Sequence, residues 1–217
     1  ELANAVGRPP ERLPIKITAH IVHGNALQLD WADILPASAS KTYIFGNPPF
    51  RGDAREEEQQ ADLERAWAGK TTKISRLDFV TGWHAKCLDF FNSREGRFAF
   101  VTTNSITQGD QVPRLFGPIF EAGWRIRFAH RTFAWDSEAP GKAAVHCVIV
   151  GFDRSHSPRP RLWEYPTVKA EPRQVPVERG INAYLVDGPN VLVEKASKPL
   201  SLIIEKTSYG SKPTDGG

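Results

Sequence analysis

Asn47, Pro48, Pro49 and Phe50 follow one another directly after the apolar run Tyr-Ile-Phe-Gly at 43–46. An amino group conjugated to an aromatic ring is a poor nucleophile, because its lone pair is delocalised into the ring. Two acceptors that take hydrogen bonds from its protons turn that pair out of the ring plane. The Asn47 side-chain oxygen and the Pro48 carbonyl are two such acceptors. The Pro-Pro pair holds φ at about −65° in both residues, which fixes the direction of the Pro48 oxygen. Phe50 offers a flat face on which the amine-bearing ring can lie. The same four residues would also serve as a stiff turn that stops a strand, and the surrounding elements decide between the two readings.

Those elements alternate. Residues 17–27 read as a strand ending at Gly24-Asn25, residues 41–50 as a second ending at the prolines, and residues 97–105 as a third ending at Thr102-Thr103-Asn104-Ser105. Between the second and third, residues 61–69 and 76–91 carry apolar side chains at helical spacing, with Leu77, Val80, Trp83 or His84 and Leu88 on one face. Residues 111–123 read as a further helix stopped by Gly123, and residues 125–135 and 142–152 as two closing strands. Alternation of this kind predicts an α/β fold with a mostly parallel sheet and an antiparallel edge strand. Ligands bind such sheets at the carboxyl ends of the strands, where the three polar tips would converge.

The chain has 217 residues, 40% of them hydrophobic and 24% charged, enough for one α/β domain with a buried core. No apolar run approaches the roughly 20 residues that span a bilayer, and the amino terminus has no signal-peptide pattern, so no membrane partner and a cytoplasmic location are expected. Cys87 and Cys147 sit alone in apolar contexts and are expected as buried free thiols. His23, His84, His130 and His146 lack the spacing of metal ligands, and no metal site is expected. A net charge of +3 tolerates a polyanionic partner. Met is absent, and the last residues, Lys-Pro-Thr-Asp-Gly-Gly, close no element, so neighbouring polypeptide is expected at both ends. From 154 onward the composition turns to Pro and Arg, giving an expected division into residues 1–152 and an extension over residues 153–217.

Several separated stretches together resemble a known family: IVHGNALQLDW, YIFGNPPF, RLDFVTGWHAKCLDFF, FAFVTTNSITQGDQV, FAHRTFAWDSEAPGKAAVHCVIVGF and INAYLVDGPNVLVEKASKPL. They are similar to the class I S-adenosylmethionine-dependent, adenine-specific DNA methyltransferases of TaqI-type motif order, and most to the methyltransferase region of MmeI-like restriction–modification enzymes. The resemblance implies an incomplete Rossmann-like methyltransferase domain over residues 1–152. It implies that Asn47, Pro48, Pro49 and Phe50 form the catalytic corner, with Phe133 as a second aromatic against an adenine flipped out of duplex DNA. It further implies S-adenosylmethionine as cofactor, with Asn25, Ala26, Leu27, Asn47, Asp78 and Phe79 around it. Asn25 could instead satisfy a tight turn, Asp78 could be a solvated helix residue, and Phe133 could be core.

One departure matters. Family members hold the cofactor with a Gly-rich turn after their first strand, and this chain contains no Gly-x-Gly. A preceding cofactor-binding segment and a following DNA-recognition domain of the same polypeptide are therefore expected, and the chain alone is expected to be inactive. Asn-Pro-Pro-Phe also occurs in methyltransferases of protein and RNA amines. A protein or RNA methyltransferase and an inactive nucleic-acid-binding remnant stay open as alternatives.

Overall fold

The computed structural model of the protein describes residues 19–37, 40–51, 55–135, 145–155 and 159–194. A one-turn helix, α1 (Trp31–Ile34), is capped by Asp30 and precedes β1 (Thr42–Gly46), whose run ends at the prolines. Helix α2 (Glu57–Trp67) begins in the acidic run, earlier than the apolar spacing alone suggests. Glu57 and Glu58 there face the positive end of the helix dipole, and Gln59 Oε1 accepts from the Glu56 N–H, so the polar first turn is stable in itself. Leu63, Ala66 and Trp67 form its buried stripe.

A 3₁₀ turn at Phe79–Thr81 leads into α3 (Gly82–Phe90), then β2 (Gly96–Thr103). Helix α4 (Gln111–Glu121) buries Val112, Leu115, Phe116 and Ile119 at helical spacing. It stops at Gly123, whose φ of 79° is the left-handed conformation that glycine adopts without penalty. Strands β3 (Arg125–Trp135), β4 (Val145–Asp153), β5 (Arg161–Glu164) and β6 (Arg173–Val175) complete a six-stranded sheet of order β1-β2-β4-β3-β5-β6. Strands β1, β2, β3 and β5 run one way, while β4 and β6 run the other. The sheet is thus mostly parallel in direction with an antiparallel edge, β6, and β4 is inserted antiparallel between β2 and β3.

Two expectations change. No strand forms over residues 19–27, the described part of the first strand read from the sequence. An extended segment is held as a strand only when its backbone groups meet a ladder partner, and these residues meet none among the described residues. Instead Gln28 and Leu29 donate backbone N–H groups to the Asn25 carbonyl at 2.9 and 3.0 Å, closing a turn. Second, the segment read as an extension supplies β5 and β6 to the same sheet, and Leu162, Ile181, Ala183 and Leu185 from it are buried in the common core.

The core is aromatic. Phe98 on β2 packs against Phe152 and Trp124 at ring-centroid distances of 4.7 and 4.8 Å. His84 on α3 lies among Phe98, Phe100 and Phe152, fully buried, with both ring nitrogens lacking a well-aligned hydrogen bond. Burial pushes its pKa from 6.5 down to about 4, which a poorly aligned approach to the Val80 backbone only partly offsets. The sign follows. Above pH 6.5 both folded and unfolded chains keep this ring neutral and its full contribution is present. As pH falls toward 4 the unfolded chain gains a proton that the folded chain refuses, removing about 3 kcal/mol. Urea titrations of His84→Leu and the parent between these pH values should show the parent losing stability faster by that amount. Equal slopes would contradict it.

Among the described residues no helix is long and apolar enough to cross a membrane.

Candidate active site

Strand β1 delivers the Asn-Pro-Pro-Phe corner to one end of the sheet. Gly46 is opposite Phe100 of β2, so residues 47–49 lie level with the last residues of β2, up to Thr103. Pro48 is buried and Phe50 is half-buried against the core, which anchors the corner. Asn47 is exposed, and its amide makes no hydrogen bond to a described residue. Both of its acceptor lone pairs are available to a ligand. Beside it opens a cavity of about 490 Å³, walled by Trp31, Ile44, Pro48, Pro49 and Trp83 with Asn47 at its polar end.

The sheet brings Phe133 to the same end. Thr103 of β2 is opposite Cys147 of β4, and Cys147 is opposite Phe133 of β3. Phe133 is therefore level with Pro49, two residues past Asn47 along the chain, and three strand spacings away, or about 14 Å between backbones. Between His130 and Phe133 the β3 ladder is irregular, with Arg131 and Thr132 facing the single residue Val148. A bulge of this kind re-aims the following side chain. Phe133 is half-buried and stacks on Tyr165, with centroids 5.2 Å apart and planes at 29°.

Asn25 serves a turn. Its Oδ1 accepts from the Leu27 N–H at 3.0 Å, and its Nδ2 donates to Asp62 of α2 at 2.6 Å. Gln28 and Arg65 also donate to Asp62, at 3.0 and 2.7 Å. Burial alone would raise the Asp62 carboxyl, but these three side-chain hydrogen bonds outweigh it and hold it below the ordinary carboxylate range. The loop 25–27 so fixed meets the cavity through Trp31, whose Nε1 donates to the Ala26 carbonyl at 2.8 Å. Leu27 is buried and packs on Gly82 at the start of α3. Asp62→Ala removes the anchor of both side-chain amides, and we expect a loss of about 1–3 kcal/mol in chemical unfolding.

Asp78 is buried rather than solvated. Its carboxylate caps the 3₁₀ turn through the Val80 N–H at 3.3 Å and accepts from the Thr103 hydroxyl at 2.9 Å. The Asp78 N–H donates to Gln111 Oε1 at 2.9 Å. One residue thereby ties the tip of β2 to the starts of α3 and α4. Phe79, also buried, meets Trp83 edge-on at 5.5 Å and so backs the cavity wall. The sequence reading missed Asp62, Trp31, Trp83 and Tyr165. Asp62 is hidden in an acidic run, although its place on the Leu63–Trp67 stripe marks it as inward-facing. Cys87 and Cys147 are both buried free thiols.

An exposed amide beside an apolar cavity with aromatic walls can hold a flat amine-bearing ring. The cavity's walls also suit a purine. No charged side chain among the described residues lines it, so it offers no ion-pair partner for an amino-acid carboxylate or ammonium. The residues present fit the purine end of S-adenosylmethionine.

A family model of the DNA-methyltransferase domain of MmeI matches residues 1–164. DNA methyltransferase A of Bacillus subtilis (strain 168) is 34% identical over 218 aligned residues, covering 100% of this chain and 24% of that protein. The solved structure of the Type IIL restriction-modification enzyme MmeI in complex with DNA is similar with a TM-score of 0.80 and 42% identity, over 92% of this chain and 27% of that one. The chain spans about a quarter of the length of each of these two relatives.

Proposed function

The chain belongs to the family of MmeI-type DNA-methyltransferase domains, and from that premise we propose that it methylates the exocyclic amine of an adenine flipped out of duplex DNA, using S-adenosylmethionine, within a restriction–modification system. The observation that carries this is the rigid Asn47-Pro48-Pro49-Phe50 corner, level with Phe133 at one end of the sheet. Asn47 Oδ1 and the Pro48 carbonyl accept from the two amine protons and turn the nitrogen lone pair toward the methyl donor. Phe50 and Phe133 stack on the two faces of the base, which offsets part of the few kcal/mol needed to unstack it. The corner needs no reorganisation as charge builds on the nitrogen, because the prolines hold it before substrate arrives. The proton leaves late, after the amine has become cationic. The cofactor, when bound, supplies a methyl already activated by its sulfonium.

On this reading Ala26, Leu27 and Phe79 back the purine end of the cofactor, and Asn25 and Asp78 position the loop and turn that carry them. Asn47 lies between cofactor and base. The rest of the cofactor site belongs to further polypeptide that covers β1. Tyr43 and Phe45 on that strand are 59% and 81% exposed, which is unusual for a strand of parallel type, normally covered on both faces. DNA recognition likewise falls to a separate domain. The 217-residue chain alone is then unable to methylate, while the full-length protein transfers labelled methyl from S-adenosylmethionine to unmethylated duplex DNA. Label appearing in RNA or protein and absent from DNA would select the other substrate class. Micromolar cofactor binding by the isolated chain in calorimetry would contradict the shared cofactor site.

A further inference from the structure

We infer that Tyr165 is a positioning residue for Phe133, and that it sets the plane in which Phe133 meets the extruded base. The inference rests on the base-stacking role of Phe133. Strands β3 and β5 run parallel, with His130 opposite Trp163. Their rings stack nearly face to face, at 4.7 Å and 7°. Side chains on a strand alternate between faces, so Trp163 and Tyr165, two apart, share one face. His130 and Phe133 are three apart and would point to opposite faces of a regular strand. The bulge at Arg131-Thr132 cancels that mismatch, because it adds one residue to β3 between them. Phe133 thereby returns to the face of His130, and the second pair, Phe133 on Tyr165, forms beside the first.

Tyr165 is itself held. Its hydroxyl and His130 Nδ1 share a hydrogen bond of 2.8 Å, linking the two stacked pairs. On either side of it the chain is pinned to β3: Glu164 accepts from Arg131 at 2.6 Å, and the Val168 carbonyl accepts from the Ala134 N–H at 2.7 Å. Tyr165 also lines a second cavity, of about 370 Å³, together with Thr107, Gln108, Arg131 and Thr132. Phe133 lies near the end of β3 and is only half-buried, so core packing alone does not fix its ring. The rigid neighbour stacked on it does.

The test is a double-mutant cycle in the full-length protein, read as single-turnover methyl transfer to duplex DNA and as equilibrium DNA binding. Tyr165→Ala and Phe133→Ala should each slow transfer by about tenfold or more, the cost of a mis-set reacting geometry. DNA affinity should stay within about twofold, because a separate recognition domain supplies most of it and the loss falls on presenting the extruded base. The double variant should be no slower than the slower single one, since Tyr165 acts only through Phe133. Tyr165→Phe keeps the stacked ring and should restore most of the rate. Multiplicative losses in the double variant overturn the positioning role while leaving Phe133 on the base. A Phe133→Ala variant as fast as the parent removes the base-stacking role, and with it that of Tyr165.

Discussion

Asn47→Ala in the full-length protein lowers the rate of methyl transfer to DNA by about 10²- to 10³-fold, the usual cost of deleting one preorganised polar partner of a developing charge. The fold is expected to survive unchanged, because Asn47 is exposed and its amide bonds to no described residue. Affinity for DNA should change little, since the lost contact matters most once the amine begins to pyramidalise. Asn47→Asp keeps an acceptor in the same place and should retain more activity than Asn47→Ala. Labelled-methyl transfer under single turnover measures both. Equal rates for parent and Asn47→Ala would leave the corner as a strand-terminating turn and nothing more.

Phe98→Ala is the second large effect, and it falls on stability. Phe98 is 1% exposed and touches Phe91, Phe100, Phe152, Trp124 and His84 through ring contacts. Truncating it removes the hub of the aromatic core and leaves a void that five rigid rings cannot collapse to fill. Such a change costs about 3–5 kcal/mol. At the low end of a typical total of about 5–15 kcal/mol, that loss unfolds a substantial fraction of molecules at physiological temperature. Because β2 carries Thr103 at its tip, activity falls with the folded fraction. Chemical unfolding should show a large drop in midpoint with little change in slope, and a shift below 1 kcal/mol would contradict the central place given to this ring.

How much of this was legible in the sequence depended on how local each signal is. Strands β1 to β4 and helices α2 to α4 showed in their apolar spacing, since one buried face leaves a period that needs no partner to read. The insertion of β4 between β2 and β3 did not show, because strand order depends on pairings between residues about 50 apart, such as Phe98 with Phe152. Strands β5 and β6 were lost in a Pro- and Arg-rich text: each is three or four residues long, too short for an alternation to register. The strand expected over residues 17–27 had the right composition, and its described part, residues 19–27, meets no ladder neighbour among the described residues. At the site, Asn47 to Phe50 were legible because the chemistry lies in four consecutive residues. Phe133 came from the resemblance alone, and the register puts it at the same end of the sheet, level with Pro49. Asp62 and Tyr165 act through contacts 37 and 32 residues away in sequence, with Asn25 and Phe133 respectively. No spacing rule links such pairs, so only the fold could reveal them.

The proposal that this chain presents an amine clamp to adenine in duplex DNA has a direct test. Unmethylated duplex DNA is incubated with the full-length protein and S-adenosylmethionine, digested to nucleosides and analysed by mass spectrometry. The expected product is N6-methyldeoxyadenosine, absent when Asn47→Ala replaces the parent. Methylation found only on cytosine, or adenine methylation that persists at the parental rate in Asn47→Ala, contradicts it.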